Sequence, residues 1–295
     1  MLLLDKPHGL SSNVALQKAR HLLHAEKAGH TGTLDPEATG LLPLCFGEAT
    51  KFSGYLLDAP KGYEALLQLG ETSSTGDAEG DRVPGPGPVP AERSVVEGVL
   101  TGLVGPLDQI PPMHSALKHA GRPLYDYARA GIEVPRAARR IEVLSLRLLE
   151  FAGSRLRVQV DCSKGTYVRV LAEEIGLRLG CGAWLAGLRR NRTGGFGLQQ
   201  AVSLERLAEL DDASRIGTLL APECLVADLP LVVLDEQQAD WLLHGRAAPF
   251  DSVSSGILPG QTVRVHIGDG VFVGLAAPDA EGRLQAVRLL SEHAK

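Results

Sequence analysis

Gly29-His30-Thr31-Gly32-Thr33-Leu34-Asp35-Pro36 is the stretch on which the reading of this chain turns. Two glycines within four residues let the backbone fold tightly, and Pro36 confines Asp35 to an extended conformation. A carboxylate on such a loop is held rigidly and projects from its scaffold. Taken alone, the same pattern also describes a turn whose aspartate caps the residues after it.

Upstream, Met1 to Asp5 reads as a short strand. Ser11 and Ser12 offer N-cap oxygens to a helix whose Val14, Ala15, Leu16, Ala19, Leu22 and Leu23 fall at helical spacing. That helix is expected to end near His24. Ala28 to Gly40 reads as a polar, glycine-bearing loop, followed by the apolar run Leu41 to Phe46. Downstream, Tyr63 to Leu69 alternates as a strand, and Gly70 to Asp81 is a polar loop. Pro84 to Pro90 holds four prolines and two glycines, which makes it an extended connector. Val95 to Leu103 is a helix candidate. Ile110 to Gly131 looks like a hairpin-like insertion with a helix around Tyr125 to Ala130. Ile141 to Glu150 and Arg155 to Val160 alternate as antiparallel strands, and Tyr167 to Leu179 is a helix. After about Val226 the character changes. A helix at Asp235 to Leu243, a hairpin turning at Gly268-Asp269-Gly270 and a strand at Leu284 to Leu289 predict a small β-rich domain.

A chain of 295 residues buries roughly 75% of its unfolded surface and needs no metal or disulfide staple. Cys45, Cys162, Cys181 and Cys224 form no C-x-x-C pair, so a zinc knuckle or redox motif is not supported. The opening leucines are followed at once by Asp5 and Lys6, which suits a buried strand better than a signal peptide. No stretch approaches the roughly 20 apolar residues of a membrane span. A cytoplasmic location is expected. The net charge of −5 hides a concentration: Arg139 to Arg192 carries 11 Lys/Arg against 5 Asp/Glu, a balance of +6. A phosphate-binding surface needs only such local positive potential.

Three other segments carry candidate chemistry. In Asp161-Cys162-Ser163-Lys164-Gly165-Thr166-Tyr167-Val168-Arg169, a strand leads to a Lys-Gly turn and a helix. Arg169 there could pair with a buried carboxylate, and Tyr167 could lie against a flat base. The ordinary alternatives are a solvated arginine and a tyrosine plugging the core. Lys61-Gly62-Tyr63-Glu64-Ala65 opens a strand, and Lys6-Pro7-His8-Gly9-Leu10-Ser11-Ser12 is a strand-to-helix turn.

In this order the segments resemble the TruB family of pseudouridine synthases. The resemblance runs through Asp5-Lys6-Pro7-x-Gly9, the Gly29 to Pro36 loop with Ala38-Thr39-Gly40, Lys61-x-Tyr63-x-Ala65, Ser163 to Arg169 and Leu188-Arg189-Arg190, covering most of residues 2 to 200. Gln109-Ile110-Pro111-Pro112-Met113-His114-Ser115-Ala116-Leu117-Lys118 looks like the family's RNA-gripping insertion. Two departures are visible: His114 where many relatives carry tyrosine, and Glu37 where an apolar residue is common.

The resemblance implies an α+β fold: a mixed, largely antiparallel sheet flanked by helices, then a small β-rich PUA-like domain. It implies a catalytic domain over residues 1–227, with the insertion at about 109–140, and an RNA-binding domain over 228–295. The implied reaction isomerises uridine 55 in the T loop of transfer RNA to pseudouridine after base flipping, without cofactor or metal. A tRNA-folding activity could accompany it. Catalytic roles fall to Asp35, Tyr63, Tyr167 and Arg169. RNA contacts fall to Lys6, His30, Lys164, Leu188, Arg189, Arg190, Arg139 and Arg140, with His30 filling the space the base vacates. The expected partner is the T stem-loop of transfer RNA, acting on a monomer with no obligate protein partner. Rival readings are a non-catalytic RNA chaperone on this scaffold, the catalytic subunit of a guide-RNA particle, and an Asp-dependent hydrolase. The last lacks a second carboxylate at useful spacing.

Overall fold

The computed structural model describes residues 1–250, 255–268 and 270–291. The leucine run at the start becomes β1 (Leu2–Lys6), and period-two alternation splits it between two cores. Leu2 and Leu4 join the main cluster of buried side chains, while Met1 and Leu3 join a second cluster on the other face. A strand buried on both faces has no polar side to show, hence the unbroken apolar sequence.

Ser11 caps α1 (Ser12–Leu22), its hydroxyl accepting the Val14 N–H. Then come β2 (Ala28–His30), β3 (Thr39–Phe46), α2 (Ser53–Leu57) and β4 (Lys61–Leu69). They are followed by α3 (Arg93–Thr101), β5 (Gly105–Gln109), α4 (Leu124–Arg129), β6 (Arg139–Ala152) and β7 (Arg155–Cys162). The large unit closes with α5 (Val168–Arg178), β8 (Ala183–Thr193), β9 (Val202–Ser203) and α6 (Leu204–Glu209). The small unit holds β10 (Leu231–Leu234), α7 (Glu236–Leu243), β11 (Val263–Ile267), β12 (Val271–Pro278) and β13 (Leu284–Leu289).

Among the described residues the main sheet runs β9-β1-β3-β8-β4-β7-β6-β5, with β2 added beside β3. Only β1/β9 and β3/β8 pair in parallel; the other pairings are antiparallel. The mixed, largely antiparallel α+β architecture read from the sequence is the one observed. Within it, two segments differ from expectation. Ala28 to Gly40 is not all loop, because β2 pairs with the outer half of β3. Residues 183–193, which show no strand pattern in sequence, form the central strand β8. Register shifts at Leu185/Gly187 and Arg190/Arg192 break its alternation.

At the parallel crossing of β3 and β8, Gly40 stands opposite Arg190 with φ +101°, and a Cβ there would collide with the Arg190 carbonyl. Strain and overpacking of this kind cost about 1–3 kcal/mol each. Gly40→Ala is therefore expected to lower stability by about 2–5 kcal/mol in urea unfolding; an unchanged midpoint would show that the two strands can separate freely.

The small unit has its own four-stranded sheet, β10-β11-β12-β13, and its own apolar cluster. Asp269, in the expected hairpin turn, lies outside the described residues; the flanking strands β11 and β12 do pair antiparallel. The unit is clasped to the main body. Glu223 accepts from Arg264 at 2.6 Å and lies 2.7 Å from His266, Lys51 Nζ donates to the Leu289 carbonyl at 2.9 Å, and Phe52 meets Phe272. Among the described residues no helix is long and apolar enough to cross a membrane.

Candidate active site

The Asp35 loop is tied down on both sides. Ser12 Oγ accepts the Leu34 N–H at 2.7 Å and donates back to the Leu34 carbonyl at 2.8 Å. Leu34 itself is buried in the main core. Beyond Asp35, the Pro36 carbonyl accepts the Gly9 N–H at 2.9 Å. With its neighbours fixed, the Asp35 carboxylate still projects, its side chain 52% exposed.

Arg169 reaches it from the first turn of α5. Its Nη2 donates to Asp35 Oδ2 at 2.9 Å and to the His114 carbonyl at 2.9 Å, and its Nη1 lies 2.8 Å from Asp77 Oδ2. The Arg169 side chain is 8% exposed and Asp77 15%, so this pair holds the guanidinium in a poorly solvated position aimed at Asp35. Buried charges demand partners, and Asp77 is the partner that lets Arg169 stay. Sequence reading placed Asp77 in an anonymous polar loop. The only signal was a carboxylate directly after a glycine in Thr75-Gly76-Asp77.

A hydrogen bond to a charged group is worth about 1.5–3 kcal/mol, which as a barrier is about 10- to 100-fold in rate. Asp77→Asn weakens the hold on Arg169 without emptying space. Its single-turnover rate is expected to fall within that range, and a rate equal to wild type would remove Asp77 from the arrangement.

Tyr63 on β4 is buried, and burial pushes its phenol pKa up, with the Arg190 guanidinium the largest opposing influence. Tyr167 stands at the N-cap of α5, half-buried. Its N–H donates to Gln109 Oε1 at 2.8 Å and its carbonyl accepts from Gln109 Nε2 at 3.1 Å. Gln109, the last residue of β5, thus staples the start of the insertion to the helix that carries Arg169. Burial raises the Tyr167 phenol as well, while the Ser115 hydroxyl and the Arg139 charge oppose that rise.

The two departures from the family pattern leave this geometry intact. His114 serves through its carbonyl, which any residue supplies, and Glu37 bonds His8 on the surface at 2.8 Å.

The expected RNA contacts divide. His30 is half-buried with its imidazole pKa lowered, first by burial and then by Arg190. Its Nδ1 is buried without a hydrogen-bond partner. Leu188 packs at the edge of the main core, opposite Ala65. Arg139 is exposed near Tyr167, whereas Arg140 pairs with Asp108 and Lys164 with Asp58 on the surface. Such surface pairs are worth at most about 1 kcal/mol and yield readily to a phosphate.

Arg189 likewise pairs with Asp5 at 2.7 Å, its side chain 44% exposed, opposite Glu64 in the sheet. Two expectations need correction. Lys6 is 0% exposed, its Nζ donating to the carbonyls of Pro7, Leu10 and Pro36. Arg190 is 1% exposed and bonded to the carbonyls of Leu41 on β3 and Gly32 in the loop. Neither of these buried cations can touch a phosphate. Burial pulls the Lys6 pKa down to about 8, with the Asp35 charge resisting. An apolar groove of ≈ 640 Å³ between α1 and α6, lined by Leu10, Val14, Leu22 and Leu204, does not include Asp35.

The arrangement places one exposed, loop-mounted carboxylate against a buried guanidinium, with two tyrosines close enough for their phenols to sense the Asp35 charge. A carboxylate mounted on a fixed loop and aimed by a guanidinium fits nucleophilic or proton-transfer chemistry.

Residues 20–168 match the family model described as the N-terminal domain of TruB family pseudouridylate synthase. Residues 169–223 match the tRNA pseudouridylate synthase B C-terminal domain, and residues 230–290 match the pseudouridine synthase II TruB C-terminal model. The tRNA pseudouridine synthase B of Thiobacillus denitrificans is 54% identical over 291 residues, covering 99% of this chain and 95% of the relative. That of Aromatoleum aromaticum is 52% identical over 291 residues, covering 99% and 92%. A chain in the crystal structure of a Cbf5-Nop10-Gar1 complex superposes with a TM-score of 0.73 at 27% identity, covering 98% of this chain and 83% of that one.

Proposed function

This chain belongs to the TruB family of pseudouridylate synthases, and from that membership we propose that it converts uridine 55 in the T loop of transfer RNA to pseudouridine, with Asp35 as the essential carboxylate. It is an isomerase acting on transfer RNA. The observation that carries the choice of Asp35 is its exposed carboxylate, held 2.9 Å from the buried Arg169.

The reaction breaks the N1–C1′ bond, turns the uracil and joins C5 to C1′. N1 gains a proton and C5 loses one, so the product is an isomer of the substrate. The uridine must first leave its stack, at a cost of about a few kcal/mol. Arg169 keeps Asp35 aimed; Tyr63 and Tyr167 pack about the ring and exclude water that would hydrolyse a detached sugar. His30 fills the vacated place in the loop, and Leu188, Arg139, Arg140 and Lys164 line the approach of the RNA.

Residues 1–227 act as the catalytic domain, with the insertion at 109–140 gripping RNA, and residues 228–295 as a PUA-like RNA-binding domain. The separate sheet and core of the small unit support that division. The enzyme works as a cytoplasmic monomer without an obligate protein partner. Gripping and releasing tRNA also gives it a folding activity.

The test is tritium release from tRNA labelled at C5 of uridine, with wild type beside Asp35→Asn, and with a transcript carrying cytidine at position 55. Release by wild type from the uridine-55 transcript alone is the expected result. Tight binding without release from any transcript would replace the enzyme by a chaperone.

A further inference from the structure

Arg190 is a cation sealed inside the protein, and no carboxylate among the described residues forms an ion pair with it. A guanidinium cannot shed its charge to escape burial. Backbone carbonyls take its donors: Nε donates to Leu41 at 2.7 Å, Nη2 to Gly32 at 3.1 Å and Nη1 to Thr33 at 3.5 Å. Gly32 and Thr33 lead through the buried Leu34 into Asp35. Across the sheet, the register partner of Arg190 is the buried Tyr63. One side chain on the central strand therefore touches the loop that carries the carboxylate and stands beside the tyrosine of the same site.

We propose that Arg190 is a positioning residue for the isomerisation, fixing the carbonyls of Gly32 and Thr33 so that the Asp35 carboxylate and the Tyr63 ring keep a constant separation. This rests on the reading of Asp35 as the essential carboxylate.

The loop needs such a clamp because Gly32, at φ +127°, has no side chain to restrain it, and an added Cβ would lie 3.5 Å from Arg190 Nη1. A planar fork can hold carbonyls lying in different directions. An ammonium gathers its three donors on one atom and lacks the fixed planar spread of the fork. An unbranched apolar side chain such as methionine fills part of the space and holds none. The effect is felt at the reacting atoms and not at the RNA surface, since Arg190 is out of reach of any phosphate.

The experiment compares full-length Arg190→Met and Arg190→Lys with wild type, measuring single-turnover isomerisation and tRNA affinity below the melting temperature of each. Misplacement of a reacting group by about 1 Å costs on the order of 10²-fold in rate. Arg190→Met is expected to slow by that order with affinity within about threefold of wild type, and Arg190→Lys to recover part of the loss. A double-mutant cycle with Gly32→Ala adds a reading that global destabilisation does not produce: the combined loss should be smaller than the product of the single losses. If Arg190→Met does not fold, Arg190→Lys and the cycle built on it decide. Wild-type rates in a folded variant, rate and affinity falling together, or multiplicative losses in the cycle overturn the clamp. Asp35→Asn run alongside separates the two readings. If that variant still isomerises, the reading of Asp35 fails; if it is inactive while the Arg190 variants run at the wild-type rate, only the clamp fails.

Discussion

Asp35→Asn is expected to lose at least about 10⁴-fold in single-turnover isomerisation while binding tRNA within a fewfold of wild type. The substitution is isosteric, and the amide oxygen can still accept from Arg169. Arg169 is in any case held by Asp77 and the His114 carbonyl, so the surrounding geometry survives. What disappears is the negative charge, and with it the nucleophile or base that the proposed function assigns to Asp35. Fold and stability should be untouched, because Asp35 is half in solvent and its neighbours are anchored through Ser12 and Gly9. Tritium release and filter binding, with a thermal melt as control, make the comparison. Release within tenfold of wild type would move the essential carboxylate elsewhere.

The second large effect is at Arg169. Removing an electrostatic donor from a dry site costs on the order of 10²- to 10³-fold in turnover, and Arg169→Ala should show that loss. It should lower turnover more than RNA affinity, because an 8% exposed side chain offers little to phosphate. The same change leaves Asp77 buried without its cation, and breaking a buried pair costs about 3–5 kcal/mol. Arg169→Lys is therefore the companion variant: it keeps a charge for Asp77 and should be more stable than the alanine variant, yet its donors sit on one atom and lack the planar fork that spans Asp35, Asp77 and the His114 carbonyl. Single-turnover rate against affinity decides. An unchanged rate rejects the partnership with Asp35, and an equal fall in both makes Arg169 an RNA contact instead.

Much of this protein is determined locally. The tight, proline-bounded loop around Asp35, the alternating strands β4, β6 and β7, and the helix α5 all follow from residues close in sequence. Steric limits on φ and the two periodicities act over a few residues. Tertiary structure decided the rest. β8 was illegible because two bulges break its alternation and because Arg189, Arg190, Asn191 and Arg192 look like a solvated face. Adjacent arginines there meet opposite fates: Arg189 faces Asp5, while Arg190 is buried beneath the Asp35 loop. Lys6 and Asp77 are the same case. A charged residue in sequence is read as exposed, since burial is costly by default. Whether that cost is met depends on carbonyls and counter-charges from distant segments: Gly32 for Arg190, Pro36 for Lys6 and Arg169 for Asp77. Local composition specified which groups this site contains, and long-range packing decided which of them lost their water and so became fixed around Asp35.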